Sequence, residues 1–238
     1  MQVLERSEKQ VIAAKLCQPL KIVALGDSII YGFGDPVGGG WVERLRRHWM
    51  EPGSAGHVLY NLGVRGDRAA QVAQRLEQEF RHRGELRNQV PDLIVLSVGV
   101  NDSARLGHLN GRNFTDFDRF SHDIERLLDR ASSLCPVLVV GMVPVDEGKM
   151  PFSDCLFFNH DDQYRYKERT RQACAARQIP YLDIFERWYD RGSDWYSSRI
   201  GEDGLHPNVC GYQDLLAEVL DWDAFHRSTA GDRRSGAQ

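Results

Sequence analysis

Five short apolar runs occur along this chain, and the stretches between them are long enough for helices. The runs are rich in β-branched residues, which is typical of strands buried on both faces of a sheet. They lie at Lys21 to Leu25, His57 to Asn61, Asp92 to Val98, Pro136 to Met142 and Ile179 to Ile184. Helices are predicted at Gly40 to Met50, Asp67 to Arg81, Asn113 to Leu134, Asp161 to Arg177 and Val209 to Trp222. This alternation predicts an α/β fold, a three-layer α/β/α sandwich with a five-stranded parallel sheet covered on both faces.

The length of 238 residues is within the range of one α/β domain. We predict a single domain over residues 1–226, in which the apolar-rich stretch 145–160 forms a loop over one end of the sheet. Residues 227–238 are polar and are predicted to form a disordered tail. The 30 basic and 34 acidic side chains give a net charge of -4, so there is no global electrostatic basis for binding nucleic acid.

The sequence lacks the usual marks of export, of a membrane span and of a metal site. Met1 to Gln18 has no uninterrupted apolar stretch, and no segment approaches the roughly 18 consecutive apolar residues of a spanning helix. The cysteines are odd in number, widely spaced and without a CxxC pair, at Cys17, Cys135, Cys155, Cys174 and Cys210. We therefore expect a cytoplasmic protein without a metal or cofactor, although a mature form whose signal had been removed would look the same.

Ser28 follows the first predicted strand directly, in the motif LGDSI. Ligands of open parallel sheets bind at the carboxyl ends of the strands, which is where this serine lies. Gly26 allows a tight turn, and a helix that begins after it would favour developing negative charge at the hydroxyl. The motif is also common in turns and helix caps, so both interpretations stay open at this position.

Asp203 and His206 are three residues apart, in the motif DGLHP. A single turn at that spacing brings the carboxylate and the imidazole to one side, where Asp203 can accept the Nδ1 hydrogen and leave Nε2 facing a serine. The alternative is a helix N-terminal turn in which Asp203 is the cap and His206 is only solvated.

Two further segments could stabilise an oxyanion. Asn101 lies just beyond the third strand, where a side-chain amide can donate a hydrogen bond, and Gly66 lies in the loop after the second strand, where its backbone N–H is unscreened. Each also has an ordinary interpretation as a turn or loop residue. All four segments fall at the same predicted edge of the sheet, and together they supply a nucleophile, a base, an orienter and oxyanion donors.

In these four blocks the chain resembles the SGNH, or GDSL-type, esterase and lipase family, from about Lys21 to Leu220. The resemblance implies a flavodoxin-like sandwich and hydrolysis of carboxylic esters through an acyl-enzyme. It also implies the role of each residue, with Ser28 as nucleophile, His206 as base, Asp203 as its orienter, and Gly66 and Asn101 as oxyanion donors beside the Ser28 backbone N–H. The usual leucine after Gly-Asp-Ser is Ile29 here, and Val100 stands where a small or hydroxyl residue is common.

The implied partner is a small-molecule ester, and no sequence feature indicates an oligomeric state. An O-acetyltransferase or a thioesterase would use the same groups, and a non-catalytic module that binds carbohydrate or lipid could keep the same fold. Three phenylalanines in the 145–160 stretch fit either an acyl-binding lid or simple packing onto the sheet, at Phe152, Phe157 and Phe158.

Other candidate groups favour ordinary roles. The glycine-rich stretch 32–40 lacks the Lys-Ser/Thr ending of a phosphate loop and is predicted to be a mobile loop beside Ser28. His160, Asp161 and Asp162 are adjacent residues that point in different directions, so a solvated helix start is favoured over a metal site. Arg65 and Arg105 lie near the oxyanion segments and could meet an anionic substrate, but exposed loop arginines are the commoner case.

Overall fold

The computed structural model describes residues 19–83 and 90–230. The predictions made for Met1 to Gln18, and for Cys17 within it, lie outside the described residues. So does the last part of the predicted tail, residues 231–238.

The strands form a parallel central sheet and a small antiparallel pair. In chain order they are β1 (Lys21–Gly26), β2 (Val58–Gly63), β3 (Leu93–Ser97), β4 (Arg105–Leu106), β5 (Val137–Val140), β6 (Leu156–Phe157) and β7 (Tyr181–Leu182). The central sheet has the order β2-β1-β3-β5-β7 with every neighbouring pair parallel, and β4 pairs with β6. This order confirms the predicted α/β architecture, with β1 inside the sheet between β2 and β3.

The helices connect these strands and lie on both sides of the sheet. They are α1 (Ser28–Tyr31), α2 (Gly40–His48), α3 (Ala69–His82), α4 (Val100–Ser103), α5 (Phe117–Ser132), α6 (His160–Ala176), α7 (Ile184–Tyr189), α8 (Ser193–Ser197), α9 (Val209–Leu220) and α10 (Asp223–Thr229). None of the described helices has the length and apolar character needed to cross a membrane.

Each face of the sheet is buried by its own layer of helices. Val23 and Leu25 of β1 contact the core formed with α3, α5 and α6, whereas Ile22 and Ala24 contact the core formed with α2, α9 and α10. Because successive strand residues point to opposite faces, one strand serves both layers. The continuous apolar runs in the sequence reflect this two-sided burial.

The ends of the elements depart from the sequence prediction where polar side chains form caps. The fifth sheet strand is only Tyr181–Leu182, because the Asp183 carboxylate accepts a hydrogen bond from the Glu186 N–H and starts α7. The short helices α7 and α8 were not predicted. The DGLHP segment therefore lies between α8 and α9, and does not directly follow the last strand.

The chain also departs from prediction at residues 145–160 and 227–229. The first stretch is largely irregular, as predicted, but it contains a 3-10 turn at Glu147–Lys149 and the strand β6. Arg227 to Thr229 belong to α10, whose Phe225 is buried and stacks on Trp49. The start predicted for the disordered tail is therefore too early.

Candidate active site

Ser28 is the first residue of α1 and lies directly beyond the end of β1. A Cβ atom at Gly26 would come within 1.9 Å of the Ser97 carbonyl oxygen, so only glycine lets β1 leave the sheet this close to β3. The Asp27 carboxylate accepts a hydrogen bond from the Ile29 N–H at 2.9 Å and caps the helix. These contacts fix the backbone that carries the serine hydroxyl.

The structure joins Ser28, His206 and Asp203 in one chain of hydrogen bonds. His206 Nε2 lies 2.8 Å from Ser28 Oγ, and His206 Nδ1 lies 2.7 Å from Asp203 Oδ2. The other carboxylate oxygen of Asp203 accepts hydrogen bonds from the Leu205 and His206 N–H groups at 3.0 Å each. The imidazole is thus held between a hydroxyl on one side and a fixed carboxylate on the other.

The Asp203 carboxylate is stabilised in its ionised form. Its partial burial opposes ionisation, but the hydrogen bonds from the His206 ring and from two backbone N–H groups outweigh that effect and lower its pKa to about 2. A charged acceptor beside Nδ1 favours the tautomer in which Nδ1 carries the hydrogen and Nε2 is free to accept one.

Two phenylalanine rings confine the imidazole. The centroids of the Phe33 and His206 rings are 4.6 Å apart, and those of Phe152 and His206 are 5.7 Å apart, both in edge-to-face geometry. The Tyr212 hydroxyl donates a hydrogen bond to the Phe33 carbonyl at 2.9 Å, which ties the Phe33 loop to α9. The aromatic contacts limit rotation of the imidazole away from Ser28.

The predicted oxyanion residues line the same cavity as Ser28 and His206. The cavity has a volume of about 280 Å³, and its other walls are Arg65, Phe152, Leu156 and Leu205, with Gly66 and Asn101 completing the lining. Gly66 has φ +80°, and a Cβ atom there would meet nothing within 4 Å. Neither the Gly66 N–H nor the Ser28 N–H has an acceptor among the residues that the structure describes.

Asn101 is oriented by one hydrogen bond of its side-chain amide. Nδ2 donates to the Asp67 carbonyl at 2.9 Å. An amide carries two hydrogens, and within residues 19–83 and 90–230 the second has no acceptor. Three residues that line the cavity therefore carry a donor without an acceptor, one on a side chain and two on the backbone.

Arg75 is a positioning residue that sequence reasoning missed. From α3 its guanidinium donates to the Leu62 carbonyl at 2.8 Å, to the Gly26 carbonyl at 2.9 Å and to the Asp67 carboxylate at 2.7 Å. It therefore connects the ends of β1 and β2 to the loop that carries Gly66. No local motif marks this arginine, because its acceptors lie on three different segments, at 8, 13 and 49 residues from it in the sequence.

Two buried carboxyl groups lie beneath the cavity. Burial raises the pKa of Asp27 to about 7, and the neighbouring carboxylates of Asp102 and Asp67 add to that rise. Burial likewise raises the pKa of Asp102 to about 6, although this side chain accepts a hydrogen bond from the Ala69 N–H at 3.0 Å. Both groups favour their protonated forms more strongly here than in water.

We expect Asp27→Asn to make folding stability less dependent on pH. The folded state holds the Asp27 proton more tightly than the unfolded state, so the contribution of Asp27 to stability is lost as the pH rises from about 4 to about 7. An asparagine oxygen can still accept the Ile29 N–H but does not ionise. The variant should gain stability relative to wild type across this range, by up to a few kcal/mol, in urea unfolding at a series of pH values.

Asp203→Asn is a comparison of opposite sign, measured between about pH 2 and pH 4. The lowered pKa of Asp203 means that its ionised form stabilises the fold above about pH 4, and this contribution is lost toward pH 2. Parallel stability curves for wild type and Asp27→Asn between pH 4 and pH 8 would contradict the role assigned to Asp27.

The glycine-rich stretch beside Ser28 is organised around one carboxylate. Asp35 accepts hydrogen bonds from the N–H groups of Val37, Gly38 and Gly40 at 2.8 to 3.2 Å and forms an ion pair with Arg44. The loop was predicted to be mobile, but this network fixes it against α2.

Most of the remaining candidate side chains have structural roles. The Arg105 guanidinium pairs with the Asp162 carboxylate, and His160 Nε2 lies 2.8 Å from the Val145 carbonyl. Phe158 is fully buried, whereas Phe152 lines the cavity, so packing and cavity lining both occur in the 145–160 stretch. Among the described residues no group of three His, Cys, Asp or Glu side chains is placed to hold a metal ion.

Most of the chain matches one protein family. Residues 24–213 match the GDSL-like Lipase/Acylhydrolase family. The matched segment contains Ser28, Gly66, Asn101, Asp203 and His206.

Similar proteins are found at low sequence identity. The uncharacterized protein YpmR of Bacillus subtilis (strain 168) is 24% identical over 224 residues, which covers 86% of this chain and 82% of YpmR. A lipase/acylhydrolase from Enterococcus faecalis superposes with a TM-score of 0.68 at 23% identity, over 92% of this chain and 100% of that one. A catalytic mutant of Axe2, an acetylxylan esterase from Geobacillus stearothermophilus, superposes with a TM-score of 0.65 at 15% identity, over 94% and 100% of the two chains.

Proposed function

Because the chain belongs to the GDSL-like lipase/acylhydrolase family, we propose that it is a serine esterase that cleaves carboxylic esters through an acyl-enzyme. The observation that carries this proposal is the hydrogen-bonded chain from Asp203 through His206 to Ser28, with distances of 2.7 and 2.8 Å. A serine hydroxyl is a weak nucleophile, and a neighbouring imidazole that accepts its proton is what activates it.

In the first half-reaction, Ser28 Oγ attacks the ester carbonyl carbon while its proton passes to His206 Nε2. The tetrahedral intermediate collapses when the bond from carbon to the alcohol oxygen breaks, and the imidazolium returns the proton to the departing alcohol. In the second half, water attacks the acyl-enzyme, again giving a proton to His206, and the carboxylic acid leaves as the Ser28 hydroxyl is restored. Asp203 orients the ring and stabilises the imidazolium throughout.

The developing oxyanion needs donors that are in place before the reaction. We assign this role to the Ser28 and Gly66 N–H groups and to the Asn101 side-chain amide. Their shared position at one cavity and their lack of other acceptors among the described residues support this assignment. Arg75 and the Asp67 carbonyl maintain the spacing of these donors.

The size of the cavity favours small acyl groups. Its volume of about 280 Å³ lies just below the usual range for small-molecule sites, and three of its walls are apolar, at Phe152, Leu156 and Leu205. An acyl chain of a few carbons fits this description better than a long fatty acyl chain. We therefore propose short-chain esters as the substrates to test first.

The four described cysteines are free thiols, at Cys135, Cys155, Cys174 and Cys210. Free thiols persist in a reducing compartment, which supports the proposal of a cytoplasmic location.

The proposed function can be tested with p-nitrophenyl acetate and an Asn101→Ala variant. The wild-type protein should hydrolyse this ester, and the variant should lose about 10²- to 10³-fold in kcat with little change in KM, because the amide acts mainly on the oxyanion of the transition state. The release of p-nitrophenolate, followed by its absorbance, gives both kcat and KM.

Asn113→Ala is the matched control for this variant. Its side-chain amide also donates to a backbone carbonyl, that of Ser103 at 2.9 Å, but Asn113 does not line the cavity. We expect its kcat to stay within a few-fold of wild type. Equal losses of kcat in the two variants would contradict the oxyanion role of Asn101. If the wild-type protein did not hydrolyse the ester, the proposed function itself would be contradicted.

A further inference from the structure

Arg65 places a positive charge at the wall of the cavity that holds Ser28. It directly precedes Gly66 and lines the same cavity. Its guanidinium carbon lies 3.8 Å from the centroid of the Phe33 ring, and that ring is the one in edge-to-face contact with His206. Stacking on an aromatic face restricts a flexible arginine, so the charge is held beside the reacting groups.

The charge of Arg65 is not balanced by a neighbouring carboxylate. Over residues 19–83 and 90–230, its guanidinium forms neither an ion pair nor a hydrogen bond. Other arginines of this region do have carboxylate partners, namely Arg44 with Asp35, Arg75 with Asp67 and Arg105 with Asp162. Arg65 therefore differs from them in having its five N–H donors available to a ligand.

Four carboxylates on the segments around the cavity are engaged or buried, and the exposed carboxylates of Asp154 and Glu202 form no ion pair with Arg65. Asp203 is hydrogen-bonded to His206, and Asp67 is paired with Arg75. Asp27 and Asp102 are fully buried beneath the cavity. An exposed guanidinium of this kind binds carboxylate or phosphate oxygens through charge-assisted, often bidentate, hydrogen bonds.

We propose that Arg65 selects esters that carry a negative charge within a few atoms of the scissile carbonyl. This inference rests on the proposed ester hydrolysis and adds the substrate class. The anionic group, a carboxylate or a phosphate, binds the guanidinium while the carbonyl lies at Ser28. The apolar walls contact the uncharged part of the substrate, whose size is limited by the small cavity.

The test compares charged and neutral esters of matched shape in wild type and Arg65→Gln. For a charge on the acyl side, the pair is mono-p-nitrophenyl glutarate and p-nitrophenyl pentanoate. For a charge on the alcohol side, the pair is 4-acetoxybenzoate and its methyl ester. The measured quantity is the ratio of kcat/KM for the charged and neutral members of each pair, so intrinsic differences in reactivity cancel between the two proteins.

In at least one pair, this ratio should be about 10- to 100-fold lower in Arg65→Gln than in wild type, the range expected for a hydrogen bond between charged groups at a partly exposed site. The pair that responds identifies the side of the ester on which the charge lies. Arg65→Lys should retain part of the preference, because it keeps the charge and loses the planar fork.

Arg112→Gln is the matched control. Arg112 is also an exposed arginine, and it does not line the cavity that holds Ser28. Its removal changes the net charge by the same amount and should leave both ratios unchanged. If Arg65→Gln and Arg112→Gln shift the ratios equally, or if neither ratio falls in Arg65→Gln, the role of Arg65 is overturned while ester hydrolysis stands. If wild type hydrolyses no member of either pair, the inference fails together with the proposed function.

Discussion

Replacing Ser28 with alanine is expected to lower kcat for p-nitrophenyl acetate by about 10³-fold or more, without loss of the fold. The substitution removes only the Oγ atom. The hydrogen bond between this atom and His206 Nε2 is the contact on which the proposed activation of the serine depends. Without the oxygen no acyl-enzyme can form, so any residual rate comes from attack by water aided by the remaining donors. Steady-state kinetics measure the loss of kcat, and a thermal melt shows whether the fold is retained.

A second serine provides the control for this variant. Ser193 is likewise the first residue of a short helix, α8, but it is exposed and lies outside the cavity. Ser193→Ala should keep kcat within a few-fold of wild type. Undiminished activity in Ser28→Ala would show that another group carries the reaction.

Replacing Asp203 with asparagine is expected to lower kcat by about 10³- to 10⁴-fold. The asparagine oxygen would still accept the Leu205 and His206 N–H groups, which would turn its NH₂ group toward His206 Nδ1. The imidazole would then accept at Nδ1 and carry its hydrogen on Nε2. In that tautomer it cannot take the Ser28 proton, although every heavy atom stays near its original position.

Asp214→Asn is the corresponding control, because Asp214 forms an ion pair with Arg199 and does not line the cavity. It should leave kcat nearly unchanged. The double variant Ser28→Ala/Asp203→Asn should be no slower than Ser28→Ala alone, since the two residues act as one unit. Equal kcat values for Asp203→Asn and Asp214→Asn would contradict the orienting role.

The central sheet and the helices that cover it can be predicted from the sequence, but the exact ends of the strands and helices cannot. Continuous apolar runs such as Lys21 to Leu25 are typical of strands buried on both faces, which requires helices on both sides of the sheet. The early end of β7 depends on whether one side chain, Asp183, caps a helix or continues a strand. Similarly, α10 continues past Arg227, and its Phe225 ring stacks on the ring of Trp49, which is far away in the sequence.

At the candidate site, the two interpretations left open by the sequence turn out to be compatible. Asp27 does cap a helix, and the serine that follows it does contact His206. One oxygen of Asp203 caps the turn of its own segment while the other faces the imidazole. A short motif could not distinguish these interpretations, because the same local geometry serves both.

The residues that sequence reasoning missed are those whose partners come only from the fold. Arg75 is an ordinary polar residue of an amphipathic helix until β1, β2 and Asp67 are brought to it. Phe33 gains its contact with His206 from a segment more than 170 residues away. Arg65 and Arg105 looked alike in the sequence, and only the position of Asp162 separates the paired arginine from the unpaired one.

The role of Ser28 as nucleophile is tested by the site of covalent labelling with a fluorophosphonate, located by mass spectrometry of the digested protein. A phosphonylating reagent of this type reacts with an activated serine and leaves a stable adduct on its oxygen. We expect about one adduct per chain, on the peptide that contains Ser28, and none in the Ser28→Ala variant. Absence of labelling in the folded wild-type protein, or an adduct on a different residue, would contradict the assignment of Ser28 as the nucleophile.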